Sequence, residues 1–364
     1  MSKISEYLDS NNYSKNATGV IYRDKNNFVQ IEYNKLQKYI RKIVNYLAIK
    51  YKDKKIAIIG RNKIEYLISL LSIYGYIGDV ILIDFEASDC VKNNILNQLK
   101  PSLIIYEDEF NIDYVCDKIS FEKITTILNS LIDIDDEVFN ISSHKGKLFL
   151  HTSGTTGDPK IVELSEENVF SVVEELGRKW IIDEKDSALI IVPLYHIYAL
   201  LAVFHAIHFG CAIVLEYEYK AMTEVLQNTK PTIIVGVPLM FNKIKDKILE
   251  NKKIIFKILF SISNFCLKFN FDIRRKLFNK IYNVLGGNIR FCTSAGSMLA
   301  SSTTKFYKDL GIEIYNAYGM TETSGPIAVN YKNNNIIGSV GKILDITEVE
   351  IRNCDFRRNW GNLG

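Results

Sequence analysis

The run from His151 to Lys160, His-Thr-Ser-Gly-Thr-Thr-Gly-Asp-Pro-Lys, constrains this chain more than any other feature. Lys147 to Leu150 before it reads as a strand and Leu164 to Leu176 after it as a helix, which places the run at a strand's carboxyl end. Glycines there let backbone N–H groups approach an anion, hydroxyls donate further hydrogen bonds, and a lysine supplies a mobile positive charge. Thr152, Ser153, Gly154, Thr155, Thr156, Gly157 and Lys160 are therefore candidate phosphate-binding residues. The spacing is not that of a Walker P-loop, since no Gly-Lys-Ser/Thr closes it. A Ser/Thr-rich linker is the competing reading, but linkers seldom set Gly-Thr-Thr-Gly and Pro-Lys between two regular elements.

Strand-like and helical runs alternate through the chain, which argues for an α/β architecture with mainly parallel sheets. Lys55–Ile59, Val80–Ile83, Leu103–Tyr106, Ala188–Val192, Ala212–Leu215, Thr232–Gly236, Ile289–Thr293 and Glu313–Tyr315 read as strands. Lys63–Tyr76, Ser88–Leu99, Met222–Leu226 and Ser302–Leu310 read as helices. At 364 residues the chain exceeds what one core organises, so two subdomains are expected, with the polar stretch Asp133 to Lys147 as the weakest joint.

A formal charge of +3, from 45 basic and 42 acidic residues interspersed, gives no argument for a nucleic-acid partner. The start, Met-Ser-Lys-Ile-Ser-Glu, lacks the apolar core of a secretion signal, and no stretch reads as a membrane span. Six cysteines without paired spacing suit a reducing compartment, so the cytoplasm is expected. His205, His208 and Cys211 recur every third residue and could hold a metal, but their apolar surroundings favour packing histidines.

A second block, Asn316-Ala317-Tyr318-Gly319-Met320-Thr321-Glu322-Thr323-Ser324-Gly325, follows the strand-like Ile312–Tyr315. In this order, and about 160 residues apart, the two blocks closely resemble the adenylate-forming (AMP-binding) superfamily. That superfamily includes acyl-CoA synthetases, luciferases and the adenylation domains of peptide synthetases. Pro193-Leu194-Tyr195-His196, Val235-Gly236-Val237-Pro238 and Ser294-Ala295-Gly296-Ser297 extend the resemblance, which is greatest to the long-chain fatty acyl-CoA synthetase branch. Ala199 stands where a glycine is common, and Asp79–Phe85 departs from the usual proline-bearing form.

The resemblance implies two packed α/β subdomains, residues 1–140 and 141–337. From Gly338-Ser339-Val340-Gly341 onward, residues 338–364 would begin a small β-barrel portion, with the C-terminal lid domain absent. It also implies ATP, Mg²⁺ and CoA. The loop and Lys160 would enclose the β- and γ-phosphates. Tyr318 would stack on adenine, with Ala295, Gly296, Ser297, Asn316 and Ala317 at its edge. Thr321 would hydrogen-bond the α-phosphate and Glu322 would hold the metal, making Thr321, Glu322 and Lys160 the catalytic set. Glu322 could instead be a helix cap, Tyr318 ordinary core, and Lys160 a solvated surface charge.

His196, Val235, Gly236, Val237, Met240, Gly319 and Met320 would border the acyl group. No aspartate stands near Tyr195-His196 to pair with an ammonium, which argues against an amino acid; apolar choices favour an alkyl or aryl acid. The expectation is a carboxylic acid–CoA ligase core, acting on a fatty acid and weak by itself because it stops before the lid. An acyl-AMP ligase loading a carrier protein, or a non-catalytic nucleotide- or acyl-binding module, are the alternatives. The apolar, lysine-bearing run Ile254–Phe271 is either a helix packed on the sheet or a peripheral contact with the inner face of the membrane.

Overall fold

The computed structural model describes every residue except 1, 10–13, 15, 26, 131–144, 153–158, 251–252 and 352–364. After the short helix α1 (Lys3–Asp9), strands β1 (Thr18–Asp24) and β2 (Asn27–Glu32) form a hairpin. Helix α2 (Tyr33–Tyr51) buries Leu36, Ile40, Ile43, Val44 and Leu47, an apolar stripe at helical spacing. Next come β3 (Lys55–Ile59), α3 (Ile64–Ser72), β4 (Asp79–Ile83), α4 (Asp89–Leu99), β5 (Leu103–Tyr106), β6 (Asp117–Ser120) and α5 (Phe121–Asn129). Ser88 and Ser120 start α4 and α5 by accepting backbone N–H bonds from Val91 and Lys123. With β7 (Leu148–Thr152) and β8 (Lys160–Leu164) these strands make a six-stranded sheet in the order β6-β5-β3-β4-β7-β8, parallel except for β8.

The next segment is α6 (Glu166–Lys179), β9 (Ser187–Ile190), α7 (Ile197–Phe209), β10 (Ala212–Leu215), α8 (Met222–Thr229), β11 (Ile233–Gly236) and α9 (Pro238–Leu249). It is followed by α10 (Lys253–Lys268), α11 (Arg274–Leu277), α12 (Asn279–Val284), β12 (Phe291–Ser294) and α13 (Ser301–Leu310). Three strands close the described chain: β13 (Glu313–Met320), β14 (Gly325–Val329) and β15 (Lys342–Ile343). The second sheet has nine strands, β15-β14-β13-β12-β11-β9-β10-β1-β2, parallel from β13 to β1 and antiparallel at both margins. No closed barrel occurs among the described residues.

Strand alternation distributes the core. Ile56 and Ile58 of β3 join Ile190, Ile213 and Val235 of the second sheet in one apolar cluster that also takes in α2, α3, α6 and α7. Ala57 and Ile59 face the other way, with α4's Ile95 and Leu96. On the far side of the nine-stranded sheet, Leu189, Val214, Ile234, Cys292 and Ile314 pack with α8, α9, α12 and α13.

Four expectations change. Lys160–Leu164 is a strand hydrogen-bonded antiparallel to β7, and the helix waits until Glu166. Ile161 and Val162 favour the strand, and Ser165 starts the helix with a reciprocal capping box to Asn168. The second motif block is largely strand, since β13 runs through Met320. The helix from Lys63 ends at Ser72 and widens into a π turn, Ile73–Ile77. The division at residue 140 does not follow strand pairing, because β7 and β8 complete the first sheet while β1 and β2 extend the second.

A buried amide ties the halves together. Asn62, just before α3, donates to Val192 O at 2.9 Å and Glu216 O at 3.2 Å, and accepts from Leu194 N at 2.8 Å. It joins the first sheet's helix to the exits of β9 and β10. Asn62→Ala would orphan three buried backbone groups, so it should lower unfolding stability in urea by about 3 kcal/mol. A loss below about 1 kcal/mol would show that the amide is not the tie.

Candidate active site

An open cleft of about 450 Å³ lies where β9, β11, β12 and β13 end, the expected position for a ligand on a parallel sheet. His196, Val237, Ala295, Gly296, Ser297, Ala317, Gly319, Met320 and Thr321 line it, together with Leu239, which the sequence reading did not single out. At Gly319 an added Cβ would fall 1.9 Å from Gly325 O, so β13 and β14 cross too tightly for a side chain. Gly296 has φ +88° with open space where a Cβ would point, leaving the loop after β12 accessible in a left-handed conformation.

Thr321–Thr323 forms a single 3₁₀ turn closed by Thr323, whose Oγ1 accepts from Met320 N at 3.0 Å and donates to Gly325 O at 2.7 Å. The turn packs against both β7 and β8, which brings the two motif blocks together. Thr152 and Lys160 are paired across that hairpin, and Lys160 is exposed. Ser153, Gly154, Thr155, Thr156 and Gly157 lie outside the described residues. Neither the Lys160 ammonium nor the exposed Glu322 carboxylate has a hydrogen bond or ion pair among the described residues, so Glu322 does not cap the turn.

Pleating separates the other candidates. Tyr318, on the opposite face of β13 from Ala317 and Gly319, is half exposed rather than core; Asn316 shares its face. On β11, Ile233 and Val235 face a second, narrow and almost wholly apolar cavity of about 40 Å³, while Gly236 faces away. Met240 is not at the cleft: it fills the core behind the sheet, where its Cε would lie 2.1 Å from a Cβ at Gly236. Its helical neighbour Leu239 takes the cleft-facing position.

The apolar cavity shares Tyr198, Ala317 and Pro326 with the cleft and extends past Leu201 and Val235 to His205 and Trp180. Where the two spaces adjoin, Tyr198 Oη and Thr293 Oγ1 are 2.6 Å apart. The sheets meet beside the Tyr195–His196 segment, whose His196 lines the cleft. His151 Nε2 accepts from Asp84 N at 3.0 Å, so its proton is on Nδ1, and Asp84 also bonds the Tyr195 hydroxyl. Burial lowers the His151 pKa, desolvation by the cleft walls lowers that of His196, and burial reinforced by Asp84 raises that of Tyr195. Asp84 was invisible to motif reading because its importance comes from where β4 ends.

The helical histidines are packed. His205 meets Phe209 edge to face at 5.0 Å, and the His208 ring lies 4.0 Å from that of Tyr7. No group of three His, Cys, Asp or Glu residues among those described could hold a metal.

Two stacked α/β units with a cleft at their strand ends form the architecture of the N-terminal domain of adenylate-forming enzymes. The chain belongs to the AMP-binding enzyme family, which matches residues 9–361. A long-chain fatty acid–CoA ligase of Mycobacterium bovis is 30% identical over 215 residues, covering 53% of this chain and 36% of that protein. A fatty acyl-CoA synthetase of Mycobacterium tuberculosis has the same fold, with TM-score 0.75 and 17% identity over 97% of this chain and 66% of that one. An o-succinylbenzoate CoA synthetase of Bacillus subtilis, solved with its acyl-adenylate intermediate, gives TM-score 0.72 at 18% identity, over 94% and 63%. The chain thus spans about a third of the length of the Mycobacterium bovis relative.

Burial takes the His205 pKa down to about 3, with the neighbouring His208 adding to the shift. The unfolded chain therefore binds a proton that the folded one refuses between about pH 6.5 and pH 3, so His205 makes stability fall as pH drops through that window. His205→Leu should flatten the pH dependence of unfolding free energy there by up to about 1.4 kcal/mol per pH unit. Urea titrations of both proteins between neutral and mildly acid pH test this, and parallel slopes would refute it.

Proposed function

We propose that this chain carries the adenylation site of an AMP-forming acid–thiol ligase whose substrate is a fatty acid. The observation that carries this reading is a narrow, almost wholly apolar cavity that shares Tyr198, Ala317 and Pro326 with a cleft edged by the Thr321–Thr323 turn. An alkyl chain in the cavity would bring its carboxylate toward the cleft, and each buried methylene contributes about 0.8 kcal/mol.

In the adenylation step a carboxylate oxygen attacks the α-phosphorus of ATP, the bond to the β-phosphate oxygen breaks, and pyrophosphate leaves. Charge grows on the phosphoryl oxygens during attack, so donors aimed there lower the barrier. Thr321, on the cleft wall, has the hydroxyl for that position. Lys160 and the loop before it would neutralise the departing pyrophosphate. Glu322, exposed and unpaired among the described residues, fits the hard oxygen donor that Mg²⁺ prefers. When bound, that ion would screen the triphosphate charge. The half-exposed face of Tyr318 and the open loop at Gly296 suit adenine. A CoA thiol would then attack the acyl carbonyl and release AMP.

Calorimetric titration with non-hydrolysable acyl-adenosine sulfamates of increasing chain length tests the reading. Binding should tighten up to about fourfold per methylene until the cavity fills. Tyr318→Ala should weaken all lengths by roughly ten- to a hundredfold, through lost stacking. Val235→Trp should abolish the length dependence but keep the adenosine contribution. A folded chain that binds none of these compounds, or binds them without regard to length, refutes the proposal.

A further inference from the structure

Helix α10 is apolar on two sides. Phe256 and Phe260 seat it on the protein: Phe256 stacks on Phe278 at 6.1 Å, and Phe260 lies 5.3 Å from Phe278 and 5.7 Å from Phe306. At about 100° per residue these two point away from Ile254, Ile255, Ile258, Ile262 and Phe265, which fall within an arc of about 100°. Those five side chains are between 47% and 76% exposed, and Phe269 and Phe271 extend the patch beyond the helix end, exposed by 70% and 68%. Ordinary packing explains the first stripe and leaves the second in water.

Charge is sorted with it. Residues 251–280 hold eight lysines and arginines and one acid, Asp272, which is bonded to Arg274 at 2.7 Å. The remainder of the chain has 37 basic and 41 acidic residues, so its net charge is opposite. Lys257 and Lys268 flank the apolar arc on one side, and both are exposed, as are Lys276 and Lys280. We propose that this face of α10 docks in the plane of an anionic lipid surface, with isoleucines and phenylalanines in the headgroup–acyl boundary and lysines on lipid phosphates. No helix among the described residues is long and apolar enough to cross a membrane, which leaves in-plane docking as its mode of contact. Pairing of two copies through this face would oppose two strongly cationic surfaces, which disfavours self-association. The inference rests on this surface alone and holds whichever acid the cleft accepts.

The 364-residue chain, sedimented with vesicles of phosphatidylcholine alone or mixed with phosphatidylglycerol, provides the test. Binding should require the anionic lipid and fall with added salt. Ile258→Asp with Phe265→Asp, and separately Lys257→Glu with Lys268→Glu, should each weaken it by roughly tenfold or more. All four positions are exposed, so melting by circular dichroism should stay at the wild-type temperature, separating lost docking from misfolding. Failure of the intact chain to bind anionic vesicles, or equal binding by both variants, overturns the proposal. So does a lipid-free dimer in analytical ultracentrifugation that the Ile258→Asp/Phe265→Asp change dissolves, which would make the face an interface between copies.

Discussion

One apolar layer shared by two sheets governs this molecule. Ile56 and Ile58 from one sheet and Ile190 and Val235 from the other belong to the same cluster, so neither sheet buries its inner face without the other. Water excluded from that layer supplies the driving force, but a greasy contact alone fixes relative position poorly. Asn62 adds direction, because its three hydrogen bonds to the β9 and β10 exits hold in only one alignment. The interaction of Asp84 with Tyr195 adds a second polar tie between the sheets, and the β7–β8 hairpin meets the Thr321 turn.

Within that frame the twofold period of a strand sorts function from support. Val235 and Gly236 are neighbours in sequence, yet one faces a cavity and the other a methionine in the core. Ala317 and Gly319 line the cleft, while Tyr318 between them turns to the other face with half its surface open. An apolar cavity wall, a cleft wall and a half-exposed aromatic face thus arise from a few adjacent residues. A one-residue slip of β13 would exchange them, and the Gly319–Gly325 approach opposes such a slip, because only glycine fits at that crossing.

Most strands were legible because they are short apolar runs: Lys55–Ile59, Leu103–Tyr106 and Ala212–Leu215 match residue for residue. The tight crossing at Gly319 and the Thr321–Thr323 turn fall within the second motif block, which stands out in the sequence by itself. What escaped was set by contacts remote in sequence. The β1–β2 hairpin pairs with β10, nearly two hundred residues on, and no local pattern announces that. Lys160–Leu164 has only five residues in which to show a period, and the next helix overwrote it. Met240 seemed a pocket residue by proximity to Val237, but helix geometry at α9 directs Leu239 to the cleft instead. Asp84 carries no motif, and its role arises from the end of one strand meeting another sheet's loop.

The two cavities raise a final physical point. A hydroxyl in an apolar wall repels an alkyl chain unless its hydrogen bond is already made elsewhere. Tyr198 and Thr293 satisfy each other at 2.6 Å, so they present their carbon faces where cleft and apolar cavity adjoin. His205, also on the cavity wall, is kept neutral by burial, so it places no charge beside that apolar space. Tyr198, Thr293 and His205 on the cavity wall are thus either mutually bonded or uncharged, whereas Ser297 and Thr321 bring hydroxyl-bearing side chains to the cleft wall. The two adjoining spaces therefore differ in polarity, and it is on this asymmetry that the proposed fatty-acid reading rests.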